Sequence, residues 1–293
     1  GIISELHWLL PRIDISLIAI DEAHCISQWG YDFRPSYLRI AELREKLPGV
    51  PVLALTASAT KTVADDIMRH LKFPEPHILR SSFARPNLSY SVRRTDDKNG
   101  QLLRLVRNVP GTGIVYVRTR EGTEQIADLL RQEGTTAAAY HGGLGHAERS
   151  LRQEEWLSGK TRVMVATNAF GMGIDKADVR FVVHYAMCDS LESYYQEAGR
   201  AGRDGQPARS VVLWTDSDFI NWRYRLQDHA GGALDDPELK ERAERAALGR
   251  LDAMQQYCET DECLRRVLLD YFGEDQDREH CDNCGNCTYV ADC

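Results

Sequence analysis

The stretch ISLIAIDEAHCISQWGYDFRP, residues 15–35, contains the pattern that decides the fold. An apolar run from Ile15 to Ile20 indicates a short buried strand, and it ends at the acidic pair Asp21 and Glu22. In open parallel sheets, ligands bind at the edge where the strands end. The stretch therefore predicts an α/β fold with a ligand site beside the acidic pair.

The acidic pair suits metal-assisted hydrolysis. One carboxylate can hold a magnesium ion, directly or through water, while its neighbour orients and deprotonates an attacking water. For Asp21 and Glu22 taken alone, a solvated acidic pair at the start of a helix is the alternative. The residues that follow the pair favour metal-assisted hydrolysis over the solvated pair.

Aromatic rings and a cation alternate directly after the pair. Trp29, Tyr31 and Phe33 are interleaved with small and charged residues, among them Arg34. Such rings can stack on bases while the guanidinium meets a phosphate. Packing of the rings into the core is the open alternative. Together, the acidic pair and this loop indicate nucleotide hydrolysis coupled to nucleic acid.

Apolar runs alternate with helical segments along most of the chain, which predicts parallel strands covered by helices on both faces. Besides residues 15–20, the runs lie at 52–55, 113–117, 136–140, 163–166, 181–184 and 211–213. Helical spacing of apolar residues predicts helices that include 36–47, 61–71, 237–257 and 263–272. Three prolines within 74–86 predict a linker. We therefore predict three units, at residues 1–82, 83–215 and 216–293.

The composition limits where the protein works. Of its 293 residues, 43% are hydrophobic and 27% are charged, as in ordinary globular proteins. No apolar run approaches the ~20 residues that cross a bilayer, and the first residues lack a signal-peptide layout, so we expect a cytoplasmic protein without membrane contact. The net charge of −8 argues against a uniformly basic surface, so nucleic acid must be bound by local patches.

Two arginines stand three residues apart within residues 194–205. Arg200 and Arg203 fall on one side of a helical turn. An arginine that one domain supplies to nucleotide held by another stabilises the transferring phosphoryl group, a contribution of roughly 10³–10⁵ in rate. A surface salt-bridge pair is the alternative. Upstream, the Gly-rich turn at 169–175 allows close backbone approach to a ligand.

Two shorter motifs have simpler explanations. Residues 158–161 (SGKT) match the end of a phosphate-binding loop, but Glu154 stands where that loop needs a glycine, and the motif precedes a strand. We therefore predict an ordinary turn there. The hydroxyl-rich turn at 55–60 could hydrogen-bond the acidic pair and a neighbouring domain, or could merely cap the helix that begins at Lys61.

Cysteines crowd near the C-terminal end. Cys281, Cys284 and Cys287, with Cys263 upstream on an amphipathic helix, offer four thiolates at spacings that suit tetrahedral zinc. Four thiolates would close the coordination sphere, so the site would be structural and zinc binding would contribute to folding. Two disulfides or free thiols are the alternative. Cys258 is the nearest spare ligand.

Jointly, these residues resemble the RecQ family of superfamily 2 DNA helicases over essentially the whole chain. The matching segments are the DEAH box (21–24), the aromatic-rich loop (28–34), the third motif (55–60), an interdomain segment (83–87), a second-domain motif (140–144), the fifth and sixth motifs (170–175 and 196–203) and the Cys-rich region (263–287). The resemblance implies a partial first RecA-like domain, a complete second one and a helical zinc-binding subdomain. It also implies ATP-driven, 3′-to-5′ unwinding of single-stranded and partially duplex DNA in recombination and repair.

The resemblance assigns roles to individual residues. Asp21 would hold the magnesium that accompanies ATP, and Glu22 would activate the attacking water. The catalytic set would also include Gln196, Arg200 and Arg203, with Arg203 as the expected arginine finger. The implied nucleotide contacts are Asp21, Gly173, Asp175, Arg200 and Arg203. The implied DNA contacts are His24, Gln28, Trp29, Phe33, Arg34 and Arg120, and the implied zinc ligands are Cys263, Cys281, Cys284 and Cys287.

Departures from the family pattern bear on activity. Tyr31 and Ser58 replace the family's usual histidine and threonine, which are mild changes. Only twenty residues precede Asp21, too few for the family's phosphate-binding loop and its helix, and the winged-helix and C-terminal accessory domains are also missing. We expect this chain alone to hydrolyse little ATP. A non-catalytic, zinc-stabilised DNA-binding protein, and an ATPase completed by another chain, remain the alternatives.

Overall fold

Two parallel sheets organise the chain in the computed structural model. The structure describes residues 13–27, 30, 32–75, 77–171, 174–229, 237–275 and 278–288. Within these residues, the first sheet pairs β1 (Ile18–Ile20) with β2 (Val52–Ala54). The second sheet has six strands in the spatial order β3-β8-β7-β4-β6-β5. They are β3 (Leu88–Arg94), β4 (Thr112–Tyr116), β5 (Ala137–Tyr140), β6 (Val163–Ala166), β7 (Val179–His184) and β8 (Ala208–Trp214).

Helices connect the strands and cover the sheets. A 3₁₀ helix (Ala23–Ile26) follows β1. The α-helices are α1 (Pro35–Leu38), α2 (Ile40–Lys46), α3 (Lys61–His70), α4 (Lys98–Asn108), α5 (Arg120–Gln132), α6 (His146–Leu157), α7 (Leu191–Ala198), α8 (Asp216–His229), α9 (Pro237–Glu259) and α10 (Leu264–Tyr271). We call residues 13–75 the first lobe, 88–214 the second lobe and 216–288 the C-terminal module. The predicted domain boundaries stay predictions.

The continuous apolar runs become strands because the second sheet is buried on both faces. Every residue of β4 and β6 is buried. Successive side chains of a strand point to opposite faces, and Ile114 and Val115 accordingly join two different hydrophobic clusters, one on each side of the sheet. The predicted α/β architecture is confirmed.

Three elements differ from the sequence prediction. The single helix expected at 36–47 is divided into α1 and α2 at Arg39, whose amide donates to the carbonyl of Ser36 three residues back and so tightens the turn. Strand β3 was missed because its apolar residues alternate with polar ones, as suits an edge strand, rather than forming a continuous run. Helix α8 was also missed, and it begins directly after β8.

The C-terminal module closes one edge of the second sheet. The amide of Gly285 donates to the Tyr90 carbonyl of edge strand β3 at 2.8 Å, and Cys284 forms a parallel bridge with Tyr90. The Arg265 guanidinium, on α10, donates to the Leu88 carbonyl at 2.9 Å. An open strand edge is a template for unwanted pairing, so this contact protects β3.

Two further predictions can be compared with the structure. The SGKT motif at 158–161 forms a turn between α6 and β6, as predicted, with Gly159 at a φ of +79° that favours glycine. The linker predicted at 74–86 contains no helix or strand among its described residues. Across the described part of the chain, no helix has the length and apolarity needed to cross a membrane.

Candidate nucleotide site and zinc centre

A cavity of about 520 Å³ lies between the two lobes. The second lobe lines it with the residues that follow β4, β6 and β7, where the carboxyl ends of parallel strands meet. The first lobe contributes Glu22, His24, Asp32 and Arg34. Glu22 and Arg200, which lie far apart in sequence, therefore line one cleft.

Backbone geometry places the acidic pair at the end of β1. The Ala23 amide donates to the Leu55 carbonyl at 2.9 Å, and the Leu55 amide donates to the Ile20 carbonyl at 2.8 Å, so the strand ends stay paired as the chain turns. Glu22 occupies the left-handed region, with φ 48° and ψ 44°. This conformation costs a residue with a Cβ roughly 1–2 kcal/mol. Such strain gathers at functional sites, which agrees with a role for Glu22 in the cleft.

The surroundings of Glu22 favour its protonated form. Partial burial raises the pKa of Glu22, and the neighbouring carboxylates of Asp21 and Asp32 raise it further. The positive charges of Arg34 and Arg200 oppose that rise. A carboxyl whose pKa is raised towards neutral pH is a better general base. Arg200 belongs to the second lobe, so the pKa of Glu22 depends on how close the second lobe lies.

His24 is buried on the first-lobe side of the cleft. Its Nδ1 lies 3.1 Å from Thr56 Oγ1 and 3.3 Å from Glu22 Oε2, and the residue is only 2% exposed. Burial lowers the pKa of His24 to about 4, so the ring is neutral at pH 7. His24 therefore lies between Glu22 and the hydroxyl-rich turn, and the DNA contact that the sequence predicts for it stays a prediction.

The hydroxyl-rich turn has both predicted roles. Thr60 accepts a hydrogen bond from the Val63 amide and caps α3. Ser58 is buried, and its Oγ accepts a hydrogen bond from Gln196 Nε2 of the second lobe at 3.2 Å. Among the described contacts, His24 joins the turn to the acidic pair. It therefore joins the surroundings of Glu22 to helix α7, which carries Gln196.

The two arginines of the sixth motif have different partners. Arg200 lines the cleft and donates to the Gly171 carbonyl at 2.6 Å. Arg203 donates to Asp175 Oδ1 at 3.2 Å and does not line the cleft. The assignment of Arg203 as the finger stays a prediction, while Arg200 is the arginine whose charge reaches Glu22 in this structure. Gly173 lies outside the described residues.

The predicted DNA contacts are only partly described. Gln28 and Trp29 lie outside the described residues. Arg34 forms an ion pair with Asp32, and both side chains keep about two fifths of their surface exposed. Phe33, between them, is half-buried. Arg120 is exposed at the first turn of α5, next to the loop at 141–145.

Sequence reasoning missed several residues that line the cleft. Arg118 stacks on the ring of Trp222 from α8, with its guanidinium carbon 4.2 Å from a ring centroid. Glu197 accepts from His184 Nε2 at 3.0 Å, and from Cys188 Sγ at 3.2 Å. The sequence signal for Glu197 was its place next to Gln196 in the sixth motif. The sequence signal for Arg118 was only its position just after the apolar run at 113–117.

The four predicted cysteines converge on one point. The Sγ atoms of Cys263, Cys281, Cys284 and Cys287 all lie within 4.8 Å of one another, and those of Cys263 and Cys284 are 4.0 Å apart. Zinc–sulfur bonds of ~2.3 Å in a tetrahedron place sulfurs about 3.8 Å apart. Burial raises the pKa of Cys281 and Cys287, whereas at Cys284 hydrogen bonds from backbone amides outweigh burial and lower the pKa to about 7. The donor set therefore fits a structural zinc ion.

Comparison with known proteins agrees with this arrangement. A family model described as "Helicase conserved C-terminal domain" matches residues 97–205, and one described as "RecQ zinc-binding" matches residues 216–288. The chain is 43% identical over 280 residues to the ATP-dependent DNA helicase RecQ of Pasteurella multocida, covering 95% of this chain and 43% of that protein. It is also 43% identical over 286 residues to the ATP-dependent DNA helicase RecQ of Bacillus subtilis, covering 97% and 47%. This chain belongs to the RecQ family of superfamily 2 helicases.

The predicted family is thus confirmed, and the chain spans less than half the length of these two RecQ relatives. Among solved structures, it is similar to Saccharomyces cerevisiae Dbp5 bound to RNA and ADP BeF3, with a TM-score of 0.59 and 19% identity. That match covers 83% of this chain and 68% of Dbp5. At this identity the likeness concerns the fold, and it agrees with the predicted RecA-like parallel-sheet domain. The RecQ zinc-binding match contains all four converging cysteines.

Proposed function

We propose that this chain is the part of an ATP-dependent DNA helicase that couples ATP hydrolysis to movement along single-stranded DNA. The observation that carries the proposal is the shared cleft, in which Glu22 of the first lobe and Arg200 of the second line one cavity. The Ser58–Gln196 hydrogen bond joins the same two lobes. Simple DNA binding requires neither a strained acidic residue nor an arginine that faces it across lobes.

Each residue in the cleft has a proposed role. Glu22 takes the proton of the attacking water. One carboxylate oxygen of Asp21 accepts from the Glu22 amide, and the exposed side chain offers an oxygen ligand of the kind magnesium prefers. Magnesium, when bound with ATP, supplies positive charge to the phosphates. Arg200 and Arg203 stabilise the charge that develops on the transferred phosphoryl group.

The roles of the other predicted residues rest on the family resemblance. Gln196, Gly173 and Asp175 would complete the nucleotide site. Phe33, Arg34 and Arg120, with Gln28 and Trp29, would contact single-stranded or partially duplex DNA and report its presence to the cleft. We further propose 3′-to-5′ translocation, a place in recombination and repair, and a cytoplasmic location, associated with the nucleoid if the source is bacterial.

A non-catalytic, zinc-stabilised DNA-binding protein is the second candidate. The favouring observation is the zinc centre, where four cysteine Sγ atoms lie within 4.8 Å of one another and need no nucleotide chemistry. Backbone amides and the lysine of a phosphate-binding loop supply much of the affinity for ATP phosphates. Because the 293 residues contain no such loop, we propose that they hydrolyse ATP weakly or not at all by themselves.

The test is ATP hydrolysis with and without single-stranded DNA. The 293-residue chain is compared with a longer version that includes a phosphate-binding loop, and Glu22→Gln in the longer version is the control. DNA-stimulated turnover in the longer version alone, lost in Glu22→Gln, supports the helicase proposal. DNA binding by both versions without turnover in either supports the second candidate. Turnover by the short chain would contradict our account of its nucleotide site.

A further inference from the structure

Helix α7 contacts three parts of the molecule. Gln196 donates to Ser58 of the first lobe, and Arg200, two residues beyond the end of the helix, lines the cleft. Glu192 lies four residues before Gln196, on the same face of the helix, and contacts the C-terminal module. Tyr195 contacts that module and the segment before β3. A displacement of Glu192 or Tyr195 therefore also displaces Gln196 and the turn that bears Arg200.

A buried carboxyl–phenol hydrogen bond anchors the first turn of α7. Glu192 is 2% exposed, and its Oε1 accepts from the Tyr271 hydroxyl at 2.8 Å. Its other oxygen is buried and finds no partner among the described residues. The Glu192 backbone amide also donates to this carboxyl, but the Tyr271 hydroxyl is the donor from another element, and its loss leaves a buried carboxyl with fewer hydrogen bonds. The position of the first turn of α7 therefore depends on the Tyr271 hydroxyl.

Aromatic rings fix the next turn. Phe83, from the segment that connects the lobes, stacks on Phe272 with ring centroids 4.6 Å apart and an interplanar angle of 11°. Tyr195 packs its edge against Phe83 at 5.6 Å, and its hydroxyl donates to the Phe83 carbonyl at 3.0 Å. Glu274, just beyond α10, accepts from the Phe83 amide at 2.7 Å. The connecting segment is thereby held between α7 and the C-terminal module.

The module that makes these contacts is organised by the zinc centre. Cys263 is the N-cap residue of α10, and Tyr271 and Phe272 lie at the opposite end of that helix. An eight-residue helix is about 12 Å long and behaves as a short rigid rod. Zinc bound at Cys263 thus fixes the start of the rod whose far end touches Glu192 and Tyr195.

We propose that Tyr271 and Glu192 are positioning residues for ATP hydrolysis, which hold α7 so that Gln196 and Arg200 meet the first lobe correctly. The C-terminal module then contributes to the catalytic step, and not only to stability. This inference rests on the proposed ATPase function. Neither residue touches the cleft, so both act through α7.

The decisive variant is Tyr271→Phe, which removes one hydroxyl and keeps the ring. In a longer version of the protein that includes a phosphate-binding loop, we expect kcat for ATP to fall about tenfold while KM changes less than about twofold, because a small displacement of a catalytic group slows chemistry more than binding. In the 293-residue chain, we expect faster hydrogen exchange at amides 191–198 with zinc content unchanged.

Tyr185→Phe is the matched control, since it also removes a phenol hydrogen bond, here a 3.1 Å bond to Asn99 Oδ1, whose residue belongs to α4 and not to α7. It should change neither kcat nor exchange in α7. Glu192→Gln added to Tyr271→Phe should restore part of the lost kcat, because a neutral amide tolerates the missing donor better than a carboxylate.

The outcomes separate the two proposals. A wild-type longer protein without ATPase activity contradicts the proposed function, and the exchange experiment then still tests the contact. An active protein in which Tyr271→Phe leaves kcat and α7 exchange unchanged overturns the positioning role. So does a variant that loses zinc, or that exchanges faster throughout the second lobe, because that result indicates general destabilisation.

Discussion

At the scale of single residues, Glu22 carries two costs that a structural residue would avoid. It adopts a left-handed backbone conformation, and its carboxylate stands among other carboxylates in a partly buried site. Glycine or asparagine would relieve the first cost and glutamine the second. The chain instead balances the charge with Arg34 and Arg200. Costs of this kind are retained where the carboxylate has chemistry to perform.

Glu22→Gln should therefore separate activity from stability. In a longer version with a phosphate-binding loop, we expect ATPase activity to fall by about 10²–10⁴, the usual contribution of a general base. Because folding raises the pKa of Glu22, its stabilising contribution is present below the ordinary pKa of 4.5 and is lost as pH rises through the folded value. The variant should thus be the more stable protein at pH 7, with the difference vanishing below pH 4.5.

Thermal unfolding of the 293-residue chain at several pH values checks the stability part. Glu154→Gln, on an exposed position of α6, is the control and should not alter the pH dependence. If Glu22→Gln is less stable than the wild type at neutral pH, the surroundings of Glu22 do not disfavour its charge and our account of the site is wrong.

At the scale of elements, the hydroxyl-rich turn and α7 form a direct contact between the lobes, the Ser58–Gln196 hydrogen bond. Ser58→Ala removes the only hydrogen-bond acceptor recorded for Gln196 Nε2 among the described residues. A neutral hydrogen bond contributes about 0.5–1.5 kcal/mol, which corresponds to at most about a tenfold effect on rate. We expect DNA stimulation of ATP hydrolysis to fall by that factor while DNA affinity is retained.

Stimulated and unstimulated ATPase rates, with DNA binding measured by fluorescence anisotropy, test this contact. Ser89→Ala is the matched control, since Ser89 lies on β3 and its side chain has no hydrogen bond within the part of the chain that the structure describes. Equal stimulation in Ser58→Ala and the wild type would show that the lobes communicate by another route.

The zinc centre should protect the edge of the second sheet. Because Gly285 pairs with Tyr90, loss of zinc frees the loop that covers β3. Cys284→Ser should lower zinc content and speed hydrogen exchange in β3, with little change in the central strands β4 and β6. Cys258→Ala should keep its zinc, because Cys258 is not among the converging cysteines. Unchanged protection of β3 in the zinc-free variant would refute this coupling.

How well a strand can be predicted from the sequence depends on whether its side chains are buried on one face of the sheet or on both. Strands buried on both faces, such as β6, are continuous apolar runs and were predicted closely. Edge strand β3 has alternating polar residues, and its identity becomes clear only once the C-terminal module covers it. The convergence of Cys263, Cys281, Cys284 and Cys287 was predicted from their spacing. The different partners of Arg200 and Arg203 were not predictable in this way, because they depend on how the Gly-rich turn folds.

At the scale of the whole molecule, the lobes differ in how much apolar surface they bury. The second lobe has a hydrophobic cluster on each face of a six-stranded sheet. The described part of the first lobe has one smaller cluster around two short strands, and Leu17, Leu53 and Leu55 remain 44–51% exposed. Two-stranded sheets are marginal without further packing. The two lobes should therefore have different stabilities within this chain.

We predict that the 293-residue chain unfolds in two steps, with the first lobe melting at the lower temperature. Calorimetry should then give a van't Hoff enthalpy below the calorimetric one. Ile20→Ala should lower only the first transition and Ile114→Ala only the second, since each truncates a buried side chain in a different cluster at a cost of about 2–5 kcal/mol. A single transition that both variants shift equally would mean that the cleft contacts, including Ser58–Gln196, are strong enough to make the two lobes one cooperative unit.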